Sequence, residues 1–471
     1  MFTYQDYLKV PNNDRERAIF VRNAISKHRS SDLYKTAVIA KQYYEFKNVT
    51  IMEFQKLLYT VSGKAIPDNI SANYKLRSNF FYRFVTQEVQ HLLGNGSSWN
   101  DTTTKDKLGT KKKPFDTQLK EALKNAIIGA VSFGFWNNDH IDVFSVDEFV
   151  PIYDEENGSL RMGIRFWQLS NEKPLRATLY EEDGYTGFIY RDGGDGEDGE
   201  IYTPKRAYKI SMAVSEADGS EIYDYENYDS FPIVPMFNIN KVSGIEGLRE
   251  NIDCYDLIKS GFANTVDEAS YIYWAIQNAG GMDDIDLATF VERMRTLHAA
   301  IVEDENARAE AHTIEAPYQS REALLQRLRA DLYEDAMAVD IKNIADGAVT
   351  ATQIDAAYTP LNGKTDDLEW NVLDFVNAIL ELAGIEDDVT FTRSEIINKQ
   401  EEMQSIMASA SVLPVDYVTE KIVTLLGDGD RLESILKSRD EEEMNRYAEG
   451  QSETTGGEDA EELGEESEQG I

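Results

Sequence analysis

Residues 245–269, IEGLRENIDCYDLIKSGFANTVDEA, decide the interpretation of this chain because they keep a helical period over an unusual length. Apolar side chains recur every three or four residues, which is the spacing of one side of an α-helix. They are Ile245, Leu248, Ile252, Tyr255, Ile258, Phe262, Val266 and Ala269. Acidic side chains fall on the opposite side, with Arg249 among them: Glu246, Glu250, Asp253, Asp256, Asp267 and Glu268. The sequence predicts an amphipathic rod nearly ~40 Å long with an acidic face, which by charge pattern alone is typical of a solvated helix surface.

A second rod is predicted at 320–341, with an apolar stripe at Leu325, Leu328, Leu332, Ala336 and Val339. The residues between the rods, 271–317, have a strand-like start at YIYWAIQ and a Gly-Gly turn. A short helix near 286–298 and a possible strand at AAIVED follow. The middle of the chain is therefore predicted to be a rod, a small α/β insertion and a second rod.

The residues before the first rod change period once. Helices are predicted from capping and apolar spacing near 76–93, ended by Gly94-Asn95-Gly96, and near 116–130. From 140 to 240, short segments rich in β-branched and aromatic residues alternate with turn residues, the longest being DGGDGEDGE at 192–200. This pattern predicts an antiparallel β region.

The stretch GAVTATQIDAAYTPLNGKTDDLEW, 347–370, contains a Gly-Lys-Thr triplet that invites comparison with a phosphate-binding loop. Such a loop needs a further glycine five residues before Gly363, where this chain has Tyr358. We therefore predict a loop of small residues over 342–364 and a helix from Thr365, as N-cap, to Ala383. Further helices are expected near 394–409 and 415–440, and the acidic residues 451–471 have the composition of a disordered tail.

Composition excludes several classes of function. The 471 residues carry a formal net charge of −38, which argues against a surface that grips nucleic acid through its phosphates. The five histidines are scattered and Cys254 is the only cysteine, so we expect no metal site, no disulfide and no cofactor. The start lacks a secretory signal pattern and no apolar stretch reaches ~20 residues, so we expect a soluble chain without membrane contact. No catalytic motif appears, and we expect no enzyme.

One basic concentration stands out in this acidic chain: Lys105, Lys107, Lys111, Lys112 and Lys113. Two interpretations remain open. The residues form a solvated loop, as most such clusters do, or they contact an acidic partner surface or the backbone of DNA.

The order of these parts resembles the portal proteins of tailed bacteriophages, of the type common in siphophages of Gram-positive hosts, over roughly residues 40–440. Three stretches carry the resemblance: NFFYRFVTQEVQHLLGNG (79–96), FPIVPMFNINKVSGIEGLRENIDCYDLIKSGFANTVDEASY (231–271) and the stretch at 347–370. They look like an early wing helix, the passage from a Pro-containing strand into the first stem helix, and the tunnel loop with the helix behind it.

The resemblance implies an α+β, mainly helical subunit of a ring. Its parts would be a wing (1–242), a stem helix (243–270), a clip (271–317), a second stem helix (318–341), a tunnel loop (342–364), a long wing helix (365–390), a helical crown (391–450) and the acidic tail (451–471). The tunnel loop would present Gly347, Ala348, Thr350, Thr352, Gln353, Asn362 and Lys364, and the clip would make contacts through Trp274, Gln277, Asn278, Asp283 and Asp284. The six acids of the first rod would repel the backbone of passing DNA, so that the duplex slides.

The implied function is a conduit at one capsid vertex for double-stranded DNA during packaging and ejection. The implied partners are eleven further copies of the chain, the large terminase subunit, a head-completion or adaptor protein, and the major capsid and scaffolding proteins. The implied location is the virion, after assembly in the host cytoplasm. Two alternatives are an acidic multi-domain hydrolase with unidentified paired carboxylates and another structural capsid or connector component.

Overall fold

The computed structural model describes residues 2–59, 63–68, 71–191, 199–214, 221–268, 273–277, 308–312, 318–342, 351–394, 399–426, 432 and 434–439. The chain divides into two compact units. Unit 1 contains residues 1–339 and 360–394, and unit 2 contains residues 340–359 and 395–471. Helices and antiparallel strands occupy separate stretches, so the fold class is α+β, as predicted.

The helices lie mainly before and after a central run of strands. Those of unit 1 are α1 (Tyr4–Leu8), α2 (Asp14–Arg29), α3 (Asp32–Tyr44), α4 (Val49–Glu53), α5 (Phe80–Leu93), α6 (Thr104–Lys107), α7 (Phe115–Gly129), α8 (Arg249–Glu268) and α9 (Tyr318–Asp335). The helix α10 (Ala351–Ala383) contains the boundary between the units, next to Pro360. Unit 2 also contains α11 (Lys399–Ser409) and α12 (Val415–Leu426). Among the described residues, no helix combines the length and the apolar content that crossing a membrane requires.

The strands pair only antiparallel among the residues that the structure describes. A five-stranded meander consists of β6 (Phe149–Tyr153), β7 (Leu160–Trp167), β8 (Leu175–Glu181), β9 (Gly184–Tyr190) and β10 (Glu200–Arg206). A three-stranded sheet has β4 (Val131–Trp136) between β5 (Ile141–Ser145) and β13 (Ile233–Phe237). Two-stranded pairs are β1 (Leu57–Tyr59) with β2 (Ala65–Pro67), β3 (Ser97–Trp99) with β16 (Val389–Phe391), β11 (Lys209–Val214) with β12 (Glu221–Glu226), and β14 (Tyr273–Gln277) with β15 (Arg308–His312).

Two apolar cores hold unit 1 together. The larger one joins α3, α5, α7, the three-stranded sheet and the C-terminal part of α10; Phe133 and Phe375 are fully buried there. The smaller one packs α2 against the five-stranded meander, with Val21 and Phe188 at its centre. The N-cap of helix α2 is Asn13, whose side chain accepts a hydrogen bond from the Glu16 N–H.

The uncharged stretch 125–138 contains a sharp reversal that the sequence did not reveal. Helix α7 ends at Gly129, and Ala130 takes a left-handed conformation (φ 72°) before β4 begins at Val131. The β region therefore starts at Val131, nine residues before the predicted position 140. Residues 126–136 are buried because they cross the larger core twice, first as helix and then as strand.

The predicted second rod is too long. Helix α9 ends at Asp335, whereas the sequence predicted helix to 341. The apolar stripe continues through Ala336 and Val339, which are buried, but the backbone leaves the helix. Met337 has a positive φ of 53°, a conformation that ends helices.

The predicted loop at 342–364 is also wrong over its described second half. Helix α10 begins at Ala351, and Thr365, the predicted N-cap, is a fully buried residue inside it whose hydroxyl donates to the Leu361 carbonyl. The helix begins this early because Ile354, Tyr358 and Leu361 are buried and follow the helical spacing of the apolar residues that continue at Leu368. Gly363 and Pro360 suggested a loop, but both lie within the helix.

Several predictions concern residues outside the described ranges. They include the turn at 192–198, the helix at 286–298, the AAIVED strand, the chain between α12 and 450 apart from 432 and 434–439, and the tail. The strand-like start of the insertion is confirmed as β14. Its described partner is β15, which begins after AAIVED.

Candidate functional site

The two rods that bracket the insertion form an antiparallel pair, α8 with α9. At one end Asn251 donates its amide to Asp335 (2.9 Å), and near the other Arg321 donates to the Thr265 hydroxyl (2.7 Å). The residue numbers of each pair have the same sum, as expected of neighbours that run in opposite directions. Phe262 and Tyr318 close the distal end with ring centroids 5.6 Å apart. The strands β14 and β15 leave from this end, so the helix pair carries the insertion.

Several apolar side chains of this pair are exposed among the residues that the structure describes. In α9 only Leu332 is buried, while Leu325 and Leu328, in the same stripe, are half-buried. Val266, Tyr318 and Leu324 are each close to half exposed. The proximal end is fixed to the core because Tyr333 packs edge-on against Phe84, with centroids 5.3 Å apart. Among the described residues, the distal part of the pair therefore exposes apolar side chains on the faces that point away from the core.

One face of α8 is buried although it is polar. Ile252, Asp256, Ser260 and Asn264 repeat every fourth residue and are all buried. The last three accept hydrogen bonds from backbone N–H groups of the irregular segment before α5, and we call this set the polar ladder. Its bonds join Ser78 N to Asp256 Oδ1 (2.8 Å), Leu76 N to Ser260 Oγ (2.9 Å) and Tyr74 N to Asn264 Oδ1 (2.7 Å).

The spacing of the polar ladder matches two regular geometries. Every second residue of an extended segment advances by about 6.6 Å, and every fourth residue of a helix by about 6 Å. The N–H groups of alternate residues therefore meet successive turns of α8. Since residues 72–79 have no strand partner, the helix side chains satisfy donors that would otherwise be buried without an acceptor.

The exposed acidic face of α8 is narrower than the sequence predicted. Asp256 is buried, and Asp253 accepts hydrogen bonds from the hydroxyls of Tyr43 and Thr50. Glu250 is exposed and Asp267 is half-buried, and the structure does not describe the side chain of Glu268. Glu246 is exposed in the turn before α8, because the helix begins at Arg249 and not at the predicted 245. The helical period placed Asp253 and Asp256 on the solvent side of the predicted rod because such a pattern assigns every polar residue to solvent. The signal that could have found the ladder is the run of short acceptor side chains at four-residue steps.

Burial also affects the ionisation of the Asp256 carboxyl. Desolvation raises the pKa of its carboxyl above the ordinary value, because burial disfavours the charged form. The hydrogen bonds from Asn48 and Ser78 act in the opposite direction without cancelling the effect. Asp256 is thus held as an internal acceptor rather than as a surface charge.

The predicted tunnel residues separate into three groups. Gly347, Ala348 and Thr350 lie outside the described residues, and Thr352 and Gln353 are exposed in the first turn of α10. Asn362 and Lys364 are instead engaged within unit 1. The Asn362 side-chain oxygen lies 2.7 Å from Nε2 of buried His91, and Lys364 forms an ion pair of 2.8 Å with Glu88, whose side chain is 3% exposed. Lys364 also donates to the Ala336 carbonyl (3.3 Å), so both side chains bind partners within unit 1.

We expect the substitution Gly363→Ala to stabilise the subunit by about 1 kcal/mol, because alanine has the higher helix propensity and a Cβ at this position meets nothing within 4 Å. Urea unfolding of the purified protein measures the change. The matched control is Gly384→Ala, which we expect to destabilise because Gly384 ends α10 with a positive φ of 67°. A loss of stability in Gly363→Ala would contradict the helical assignment of this stretch.

The structure describes some of the predicted clip residues and all five lysines of the basic cluster. Trp274 and Gln277 lie in β14, with side chains outside the description, and Asn278, Asp283 and Asp284 lie outside the described residues. In the basic cluster Lys105 pairs with Asp116, Lys113 with Asp142, and Lys107 with Asp101 (3.4 Å). Lys111 and Lys112 are exposed.

Within the described ranges, no group of three or more His, Cys, Asp or Glu side chains is arranged to hold a metal ion.

Comparison with known proteins gives a match over most of the chain. A family model described as "Phage portal protein, SPP1 Gp6-like" matches residues 25–445. The chain is 22% identical over 417 residues to a portal protein of Clostridium phage phiCD119, covering 80% of this chain and 87% of that protein. It is also 22% identical over 463 residues to the portal protein of Bacillus phage SPP1, covering 91% and 87%.

Solved structures give a weaker likeness. The virion of a native gene transfer agent particle matches with a TM-score of 0.43 at 8% identity, covering 74% of this chain and 89% of that chain. The neck of the same kind of particle, computed with C12 symmetry, matches with a TM-score of 0.40 at 8% identity, covering 73% and 89%.

Proposed function

The chain belongs to the SPP1 Gp6-like family of phage portal proteins, and from this premise we propose that twelve subunits form a closed ring at one capsid vertex. Double-stranded DNA passes through the ring during packaging and ejection. The ring is a component of the virion, assembled in the host cytoplasm.

The observation that carries this proposal is the antiparallel pair α8–α9 with its uncovered apolar surface. A helix pair that extends apolar side chains beyond its own core needs a further surface to cover them. In a ring, each pair lies beside the next and its side chains are buried there. The pair then serves as the stem, and β14 with β15 belongs to the clip.

The tunnel segment is shorter in this proposal than the sequence indicated. We assign the tunnel contacts to Gly347, Ala348 and Thr350, with Thr352 and Gln353 at the start of α10. We do not assign Asn362 and Lys364 to the tunnel, because their side chains bind His91 and Glu88 within unit 1. Fewer acids are also available to repel DNA. Of the six that the sequence predicted, Glu246 and Glu250 are exposed.

The ring also explains which partners the chain requires. The clip offers a docking site for the large terminase subunit during packaging and for a head-completion or adaptor protein afterwards. The wing contacts the major capsid and scaffolding proteins. The chain itself has no catalytic role, and the energy of packaging comes from the terminase.

Electron microscopy of the purified chain tests the ring. Class averages along the symmetry axis are expected to show about twelve subunits around a central hole wide enough for a duplex. A uniform population of compact monomers across a hundredfold range of protein concentration would contradict the proposal. Addition of the purified scaffolding protein is the control for assembly that requires a partner.

A further inference from the structure

The C-terminal part of α10 exposes a tryptophan where a polar residue is expected. Its inward side is apolar and buried, with Leu368, Val372, Phe375 and Ile379. Its outward side follows the same helical period, and Trp370 stands in it with 70% of its surface exposed. The outward residues, here called the Trp370 face, are Asp367, Trp370, Asp374, Asn377 and Glu381.

The neighbours of Trp370 specify what could cover it. Asp367 precedes it by three residues and Asp374 follows it by four, so both carboxylates flank the indole on the helix surface. Both are exposed. An indole face attracts a cation through its quadrupole, and flanking carboxylates add attraction of the same sign. The Trp370 face is therefore suited to lysine or arginine side chains, with tryptophan as the anchor that protein interfaces favour.

The turn at Lys111 and Lys112 is a basic feature of the complementary kind. Lys111 and Lys112 are adjacent and exposed at the tip of a turn between α6 and α7. Thr110 and Lys113 close the turn with reciprocal backbone hydrogen bonds of 3.1 and 3.0 Å. The other three lysines of this cluster already pair with carboxylates of their own chain. The two at the tip are thus presented outward on a fixed turn.

Net charge makes this complementarity more selective. Each copy carries a formal charge of −38, so copies repel one another except where cations of one meet acids of the next. Two different surfaces of the same chain that fit each other generate a head-to-tail contact, which closes into a ring when the rotation allows it.

We propose that the Trp370 face of one subunit docks on the Lys111–Lys112 turn of a second copy of this chain. The inference rests on the ring assembly proposed above and names one surface that holds the ring together. The lysine ammonium groups lie over the indole of Trp370 and between Asp367 and Asp374, so the contact excludes water from an aromatic group and pairs opposite charges.

The first test compares the substitutions Trp370→Ser and Leu169→Ser in the full chain by mass photometry and electron microscopy. Leu169 is the matched control, because it is an exposed apolar side chain (85%) on another surface. Trp370→Ser is expected to raise the concentration at which half of the subunits are in rings by at least about tenfold. Its Tm as a monomer should match that of the wild type, and Leu169→Ser should form rings normally. Rings of undiminished stability in Trp370→Ser overturn the proposal.

The second test exchanges the charges. Lys111→Glu with Lys112→Glu is expected to weaken rings, and so is Asp367→Lys with Asp374→Lys. The chain with all four substitutions is expected to recover assembly, because every interface again pairs opposite charges. Failure of the fourfold variant to recover overturns the lysine turn as the occupant.

A third measurement separates this inference from ring assembly itself. A carbodiimide couples lysine amines to carboxylates that are in contact, and a mixture of isotope-labelled and unlabelled chains identifies couplings between copies. If the wild type forms no rings, the ring proposal fails. In that case a coupling between copies at Lys111 or Lys112 with Asp367 or Asp374 still supports the docking surface, and its absence overturns it.

Discussion

The substitution Lys364→Met is expected to lower the free energy of unfolding by about 3–5 kcal/mol. Glu88 is 3% exposed, and the Lys364 ammonium at 2.8 Å is the cation that the structure gives it. Methionine fills a similar volume without the charge, so the buried carboxylate would lose its compensation. Breaking such a pair costs more than the pair itself contributes, because one charge remains in a medium that does not solvate it.

Urea unfolding of the purified variant measures this effect, and two controls make the result specific. The double substitution Lys364→Met with Glu88→Leu should recover most of the lost stability, since it removes both charges. The single substitution Lys173→Met should change stability by less than about 0.5 kcal/mol, because Lys173 is exposed and lies outside the proposed contact between copies. An unchanged unfolding midpoint for Lys364→Met would restore this lysine to the solvent-facing tunnel loop that the sequence predicted.

The substitution Asp256→Ala is the second large effect, with an expected loss of about 2–4 kcal/mol. The Ser78 N–H and the Asn48 amide both donate to Asp256 and both are buried. Alanine leaves these donors without an acceptor, and it also releases the segment that the polar ladder holds along α8. We expect amide hydrogen exchange to increase selectively at Leu76 and Ser78. Ser260→Ala, which removes a neutral acceptor from the same ladder, should cost less.

The contribution of Asp256 to the free energy of unfolding is expected to depend on pH, and the substitution Asp256→Asn measures this dependence. Because burial raises the folded pKa of Asp256 above 3.8, the ionised carboxyl is disfavoured in the folded state relative to the unfolded state. The penalty is absent below the unfolded pKa and complete above the raised folded pKa. The stability advantage of the wild type over Asp256→Asn should therefore be smaller at pH 7 than at pH 4. A constant difference across this range would show that the pKa is not raised.

Local patterns predicted the elements of this protein whose burial follows one simple period. The helices near 76–93 and 116–130 are present as α5 and α7, and the rod pair around an insertion is present as α8 and α9. The antiparallel strands follow from alternating β-branched and aromatic segments. In each case one apolar face packs against one core, so spacing along the chain contains the information.

Prediction failed where the environment of a residue depended on a partner far away in the sequence. Gly363, Lys364 and Thr365 looked like a turn and a cap, yet Glu88, far away in sequence, receives the lysine inside a helix. Asp256 looked like part of a solvated acidic face, yet the segment ending at Ser78 turns it into an internal acceptor. The same residue types occur at surfaces and in satisfied interiors, and composition does not distinguish these environments.

The sequence by itself determined the fold class of this protein and its family, because these depend on periodicity and on patterns that extend through most of the chain. Only the tertiary structure decided which polar residues are available to DNA or to partners. That availability depends on whether another segment supplies a donor or a countercharge at about 3 Å, and such meetings arise from the packing of residues that are remote along the chain.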